Sequence, residues 1–133
     1  MRVIWTNGCF DVLHRGHIEL FEYAKSLGDY LIVGIDTDER VAQLKGPSRP
    51  FNSLEDRRFM LESIRYIDEV VTFDSEEQLI TQLMLSKAQT MIVGSDYRDK
   101  LVVGSPFVKE VKFFDRIGSY STTGILEAGC AIK

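Results

Sequence analysis

The sequence predicts an α/β fold, a single domain on a doubly wound, five-stranded and mainly parallel sheet. Short β-branched runs alternate with longer segments of helical period, the pattern that builds a parallel sheet covered by crossover helices. The length of 133 residues suits one domain with one core, and 44% hydrophobic with 27% charged residues is an ordinary globular composition.

Arg2 to Thr6 reads as the first strand. Gly16 to Leu27 reads as a helix whose Ile18, Leu20, Phe21, Ala24 and Leu27 form an apolar face, stopped by Gly28. Tyr30 to Ile35 is the second strand. The segment from Asp36 to Asn52 contains Lys45-Gly46-Pro47-Ser48-Arg49-Pro50, whose glycine and prolines break regular structure, so a working loop is expected there. Ser53 can cap a helix from Leu54 to about Tyr66. Glu69 to Phe73 is a strand, and Ser75 with Gln78 forms a capping box for a helix to about Leu85. Thr90 to Val93 and Val108 to Phe114 complete the strands, and Ser121-Thr122-Thr123 can start a short last helix. In such a Rossmann-like arrangement ligands bind beyond the carboxyl ends of the strands, at the point where the strand order reverses.

A net charge of -4 and a pI near 5.2 argue against nucleic acid or an anionic membrane as partner, because those interfaces need a basic surface. The two cysteines, Cys9 and Cys130, lie near opposite ends without a repeating spacing, which fits a reducing cytosol better than a disulfide framework. Val3-Ile4-Trp5 is too short for an export signal, and nowhere do 18 apolar residues run together. A cytoplasmic protein is expected.

The first strand leads into Thr6-Asn7-Gly8-Cys9-Phe10-Asp11, and His14-Arg15-Gly16-His17 stands where a helix begins. Backbone N–H groups and the positive end of a helix dipole favour an anion there, and Gly8 and Gly16 let the backbone approach it. The two histidines, the only ones in the chain, are three residues apart on one helical turn, so both rings can face one ligand.

These residues resemble the signature of the cytidylyltransferase-like nucleotidylyltransferases, an H-x-G-H motif after the first strand. The whole stretch from Thr6 to His17 is similar to that family, and Ser121-Thr122-Thr123 resembles its second signature, so the likeness spans nearly the whole chain. The resemblance implies that an acceptor phosphate attacks the α-phosphorus of a nucleoside triphosphate in line and pyrophosphate leaves, with catalysis by positioning and electrostatic stabilisation. His14 and His17 would act at the α-phosphate, Lys45 at the transferring phosphate, and Arg116 with the Ser121–Thr123 helix start at the β and γ phosphates. Thr6, Asn7, Gly8, Phe10, Asp11, Gly16 and Asp96 would complete the nucleotide site, and Arg65 and Asp38 the acceptor site. The family also implies Mg²⁺ on the phosphates, with no ligands readable here, and a homodimer.

Two subfamilies each claim part of the chain. Arg65 in Ile64-Arg65-Tyr66-Ile67-Asp68-Glu69-Val70, and Arg116 five positions before Ser121, resemble glycerol-3-phosphate cytidylyltransferase, although the expected R-T-E-G-I-S-T-T motif is only partly matched. Leu44 to Asn52, followed by Glu55-Asp56-Arg57, resembles the adenylyltransferase domain that makes ADP-heptose, although Val93-Gly94-Ser95-Asp96-Tyr97 lacks the lysine of that domain's K-G-G-D-Y. The two arginines suit anionic ligands, so the cytidylyltransferase is the expected reading and the heptose 1-phosphate adenylyltransferase its alternative. A nucleotide-binding module without catalysis is a third.

Plainer roles stand beside several of these. Asp11 either caps the motif loop or touches ligand, Arg65 is also a cation near a helix C-terminus, and Asp96 is also a turn residue. Lys45, Arg49, Arg57 and Arg58 can all be solvated surface, and for Arg58 that reading is preferred. Zinc on His14, His17, Cys9 and Cys130 matches no common ligand spacing.

Overall fold

In a computed structural model of the protein, residues 1–95 and 98–115 are described. Strand β1 (Val3–Gly8) is longer than expected because Asn7 and Gly8 stay paired with Gly34 and Ile35 of β2 (Tyr30–Asp36). Between them lies α1 (Arg15–Ser26), which buries Phe21 and Ala24. After β2 the expected loop is instead opened by a helix, α2 (Asp38–Lys45). Thr37 caps it, its hydroxyl accepting the Arg40 N–H at 3.4 Å, and Asp38 and Glu39 lie in its first turn. The breakers Gly46, Pro47 and Pro50 mark the end of this helix and confine the loop to residues 46–52.

Helix α3 (Leu54–Glu62) stops short of Tyr66, closing at Ser63, after which Ile67 N–H bonds the Ile64 carbonyl in a separate turn. Then come β3 (Glu69–Phe73), α4 (Glu76–Ser86), β4 (Thr90–Gly94), a 3₁₀ turn at Ser105–Phe107 and β5 (Glu110–Phe114). At α4 the Ser75 hydroxyl accepts the Gln78 N–H at 3.1 Å, while the Gln78 side chain reaches back one residue further than a capping box requires, to the Asp74 N–H at 2.9 Å.

All pairings are parallel, in the order β3-β2-β1-β4-β5, so the expected doubly wound sheet is present and none of its strands is antiparallel. On one face Ile4, Leu31, Val33, Ile35, Val70 and Ile92 pack with Phe21, Ala24 and Leu61 of α1 and α3. On the other, Val3, Trp5, Ile32 and Met91 pack with Leu83 of α4, and Val102 and Val108 adjoin them. Each fully buried aliphatic or aromatic side chain contributes about 1.5–3 kcal/mol. No helix among the described residues is long and apolar enough to cross a membrane.

Gly34 lies at the centre of this packing. A Cβ added there falls 2.8 Å from Trp5 Cζ2 and 3.0 Å from Phe73 Cε1, both in rings that are buried and cannot yield. Gly34→Ala is therefore expected to destabilise the domain by about 1–3 kcal/mol through overpacking. Urea denaturation measures it as a lower midpoint at an unchanged slope.

Candidate active site

The strand order reverses between β1 and β4. Their backbones pair only at Ile4 with Thr90 and Trp5 with Met91, whereas β1 and β2 stay paired from Val3–Tyr30 to Gly8–Ile35. One step beyond, the buried Thr6 hydroxyl replaces the ladder by donating to the Ile92 carbonyl at 2.9 Å. Past this point the two strands are no longer paired, and it is at such a switch point, beyond the carboxyl ends of the strands, that a doubly wound sheet takes its ligand. Thr6 stands at that point, buried. Asn7, on the Trp5 face, accepts the indole N–H at 2.9 Å.

Beyond β1 the chain turns through Phe10, which takes a left-handed conformation (φ 46°) that costs a non-glycine residue about 1–3 kcal/mol. Packing holds it there. The buried Phe10 ring meets Phe21 edge-on at 5.1 Å and His17 at 5.4 Å, and a Cβ on Gly8 would lie 3.2 Å from its Cζ. Gly8 thus makes room for the ring that backs His17, a nearer reason for glycine than approach to an anion.

His14 is the N-cap of α1 and His17 its third residue, and together they form a capping box made of two imidazoles. Gly16 N–H donates to His14 Nδ1 at 3.1 Å, and His14 N–H donates to His17 Nδ1 at 3.2 Å. A ring nitrogen that accepts carries no proton, so in the neutral rings the N–H is on Nε2 of each. The rings stack with centroids 3.8 Å apart and planes 27° apart, which sets two ring donors side by side. At the start of α1 the Gly16 N–H is therefore taken up by the His14 ring and the His17 N–H by the His14 carbonyl, at 3.0 Å.

Asp11 is buried beside this turn. Its carboxylate accepts Phe51 N–H at 2.6 Å and Asn52 N–H at 2.7 Å and meets Arg49 Nε at 3.3 Å, while Asn52 Nδ2 donates to its carbonyl at 2.9 Å. Of the two roles open to Asp11, the clasping of a loop is the one its contacts fill. Here the loop is 46–52.

Arg57 is fully buried. It donates from Nε to the Asn52 carbonyl (3.1 Å), from Nη1 to the Cys9 and Asp36 carbonyls (2.9 and 2.8 Å), and from Nη2 to Asp38 Oδ1 (2.7 Å). Asp38, expected to bind acceptor, is thus the counter-ion of a buried guanidinium. Asp36 holds Arg40 Nε at 2.8 Å and receives the Cys9 thiol at 3.5 Å. Lys45, exposed at the end of α2, lies close enough for its charge to act on Cys9. The Cys9 thiol is nevertheless pushed up to about 11, first by burial and then by the Asp36 carboxylate, with Lys45 and Arg57 opposing.

Arg65 is not part of this cluster. It follows α3, before the start of β3, and so lies toward the amino ends of the strands, donating to the Tyr66 hydroxyl at 2.8 Å, which itself donates to Glu22 at 2.6 Å. Within this chain α3 carries the backbone from the carboxyl edge of the sheet to the opposite one, so Arg65, expected at the acceptor, stands apart from the histidine pair. Asp96, Arg116, Ser121, Thr122 and Thr123 lie outside the described residues. Among the described residues no three His, Cys, Asp or Glu side chains converge as a metal site.

In the sequence Arg57 reads as part of Glu55-Asp56-Arg57 or as solvated surface, whereas the structure buries it. The signal was its place on the face of Leu54 and Leu61, three residues after one and four before the other, where a charged side chain points inward. Arg40 and Asp36 gave no such signal, because their partnership depends on how α2 turns over the sheet edge.

A family model described as cytidylyltransferase-like matches residues 5–126. The chain belongs to the cytidylyltransferase-like family. As a member it is a nucleotidyltransferase. It is 44% identical over 128 residues to the bifunctional protein HldE of Campylobacter concisus, covering 95% of the chain and 26% of that protein. The HldE of Helicobacter pylori is 42% identical over 126 residues, covering 95% of the chain and 27% of that protein. The chain therefore spans about a quarter of the length of these relatives. Among solved structures, a lipopolysaccharide core biosynthesis protein from Thermoplasma volcanium matches with a TM-score of 0.73 at 24% identity, over 89% of this chain and 99% of that one. A pantoate-beta-alanine ligase from Francisella tularensis matches with a TM-score of 0.61 at 16% identity, over 97% of this chain and 69% of that one. Both likenesses concern the fold.

Arg57→Met should destabilise this family member by about 3 kcal/mol, because it strips four acceptors of their donor and leaves Asp38 unpaired. Arg57→Lys should recover only a part, since a single ammonium cannot span all four. Chemical denaturation of the two variants measures both. Cys9, in a Cys130→Ser background, should stay protonated at neutral pH and be alkylated far more slowly than a free thiol. Its thiol titrates higher in the folded state than the ordinary 9.0, so its contribution to stability is complete below 9.0 and is lost as the pH rises through about 11. Alkylation rates, and denaturation midpoints compared with Cys9→Ala across that range, follow the two effects.

Proposed function

We propose that the chain is a heptose 1-phosphate adenylyltransferase, transferring AMP from ATP to the phosphate of a heptose 1-phosphate with release of pyrophosphate. The observation that carries the choice of substrate is the 44% identity to HldE over 95% of the chain, together with the Leu44 to Asn52 segment that resembles the ADP-heptose-forming domain. It outweighs the glycerol-3-phosphate cytidylyltransferase reading, one of whose two arginines, Arg65, lies toward the wrong edge of the sheet.

In this reading the triphosphate lies over the switch point between β1 and β4. An oxygen of the acceptor phosphate attacks the α-phosphorus, the bond from that phosphorus to the bridging oxygen breaks, and pyrophosphate leaves with the bond electrons. The Nε2–H groups of His14 and His17 donate to the phosphoryl oxygens that gain charge, and their fixed tautomers mean that little reorganisation is needed as the charge develops. The start of α1 adds the positive end of its dipole. Lys45 neutralises the acceptor side. Mg²⁺ on the phosphates is what the family implies, and none of these steps is routed through it.

Pyrophosphate release from MgATP with heptose 1-phosphate tests the proposal, run beside CTP with glycerol 3-phosphate. Turnover only with the second pair would return the cytidylyltransferase reading, and binding without turnover in any pair would return the non-catalytic module. His14→Ala and His17→Ala should each lower kcat by about 10²–10³-fold, as for the loss of a preorganised donor, with a far-UV spectrum unchanged from the parent.

A further inference from the structure

Arg49 stands on the loop that Asp11 clasps, and the clasp determines what its guanidinium can do. With Phe51 and Asn52 pinned through their backbone N–H groups, the Arg49 side chain is drawn inward until only 14% of it is exposed. Its Nε meets Asp11 Oδ2 at 3.3 Å, a long contact to an oxygen that already accepts Phe51 N–H at 2.6 Å. Its Nη2 is closed off from solvent and has no hydrogen-bond partner among the described residues. A guanidinium nitrogen stripped of water and given no acceptor is an uncommon and unfavourable arrangement, and one that an anion relieves.

The neighbours repeat the design. Arg40 is held by Nε on Asp36 at 2.8 Å, and Lys45 acts on Cys9 at the end of β1. The segment from α2 through residue 52 thus brings three cations to the carboxyl ends of β1 and β2, on the side of β1 away from the switch point at β4. In-line displacement requires the attacking phosphate to approach from the side opposite the leaving pyrophosphate. We propose that Arg49 is the phosphate ligand for the acceptor, its Nη2 donating to a phosphoryl oxygen of the sugar phosphate while Asp11 holds its Nε. Reaching the acceptor requires that nitrogen to turn outward beside the exposed Pro47 and Ser48 while Asp11 keeps its hold on Nε. The inference rests on the adenylyltransferase reading for the identity of the sugar, and on the loop geometry for the phosphate.

Calorimetric titration tests it with heptose 1-phosphate, in the presence of a non-hydrolysable ATP analogue, and separately with inorganic phosphate. Arg49→Gln should weaken acceptor binding about ten-fold or more, as for a lost charge-assisted hydrogen bond, and leave the affinity for the ATP analogue within about two-fold. Arg49→Lys, which keeps the charge and guards against a folding defect, should fall between. Added guanidinium should restore part of the acceptor binding of Arg49→Ala, a response that a purely structural arginine does not give. Equal weakening for both ligands, or phosphate binding indifferent to the substitution, overturns the assignment. If phosphate binding depends on Arg49 while heptose 1-phosphate fails to bind even the parent protein, Arg49 stands as a phosphate ligand and the heptose reading falls.

Discussion

The carboxyl edge of this domain is organised around a guanidinium that water does not reach. Arg57 carries a full charge in the interior, and the cost of desolvating it is met only while its acceptors, the Cys9, Asp36 and Asn52 carbonyls and the Asp38 carboxylate, stay in place. Those four acceptors belong to the turn after β1, the end of β2, the start of α2 and the residue before the cap of α3. One side chain therefore fixes four segments that the sheet alone leaves free to diverge. The buried Asp11 carboxylate is the complementary device, an acceptor that gathers backbone donors from the 46–52 loop.

Upon this frame the histidine pair is set by local bonding. Each imidazole is oriented by a backbone N–H at Nδ1 and by its neighbour's face, and the Phe10 ring, held in a left-handed turn, backs His17. The helix start keeps its dipole while its Gly16 and His17 N–H groups are bonded internally, so in the proposed reaction the hydrogens that face the phosphates belong to side chains. Side-chain donors project further from the helix than backbone ones, and a pair of them can follow a phosphate chain along its length.

The two sides of β1 differ in a way that, in the proposed reaction, would separate nucleotide from acceptor. On the β4 side the pairing ends early, and the Thr6 hydroxyl bonds the Ile92 carbonyl. On the β2 side the pairing continues to Gly8 and Ile35, and α2 with its loop overhangs the strand ends with cations. The relatives named HldE are about four times as long as the matched region, so what lies beside this domain in those proteins is additional to the geometry described.

The sequence by itself determined the fold class, most element positions and the place of the histidine pair. Those follow from periodicity, capping residues and a motif whose members are neighbours in the chain, so that local bonding is enough to assemble them. Helix α2 was hidden by the breakers that follow it, although Thr37, Asp38 and Glu39 carried a start signal. Only the tertiary structure decided that Arg57 is interior, that Asp11 and Asp38 are anchors, that Arg65 belongs to the far edge and that Arg49 is turned inward with a donor unmet among the described residues. A charged side chain looks alike in sequence whether it meets water or a carbonyl dozens of residues away, and only the folded chain determines which of the two surrounds it.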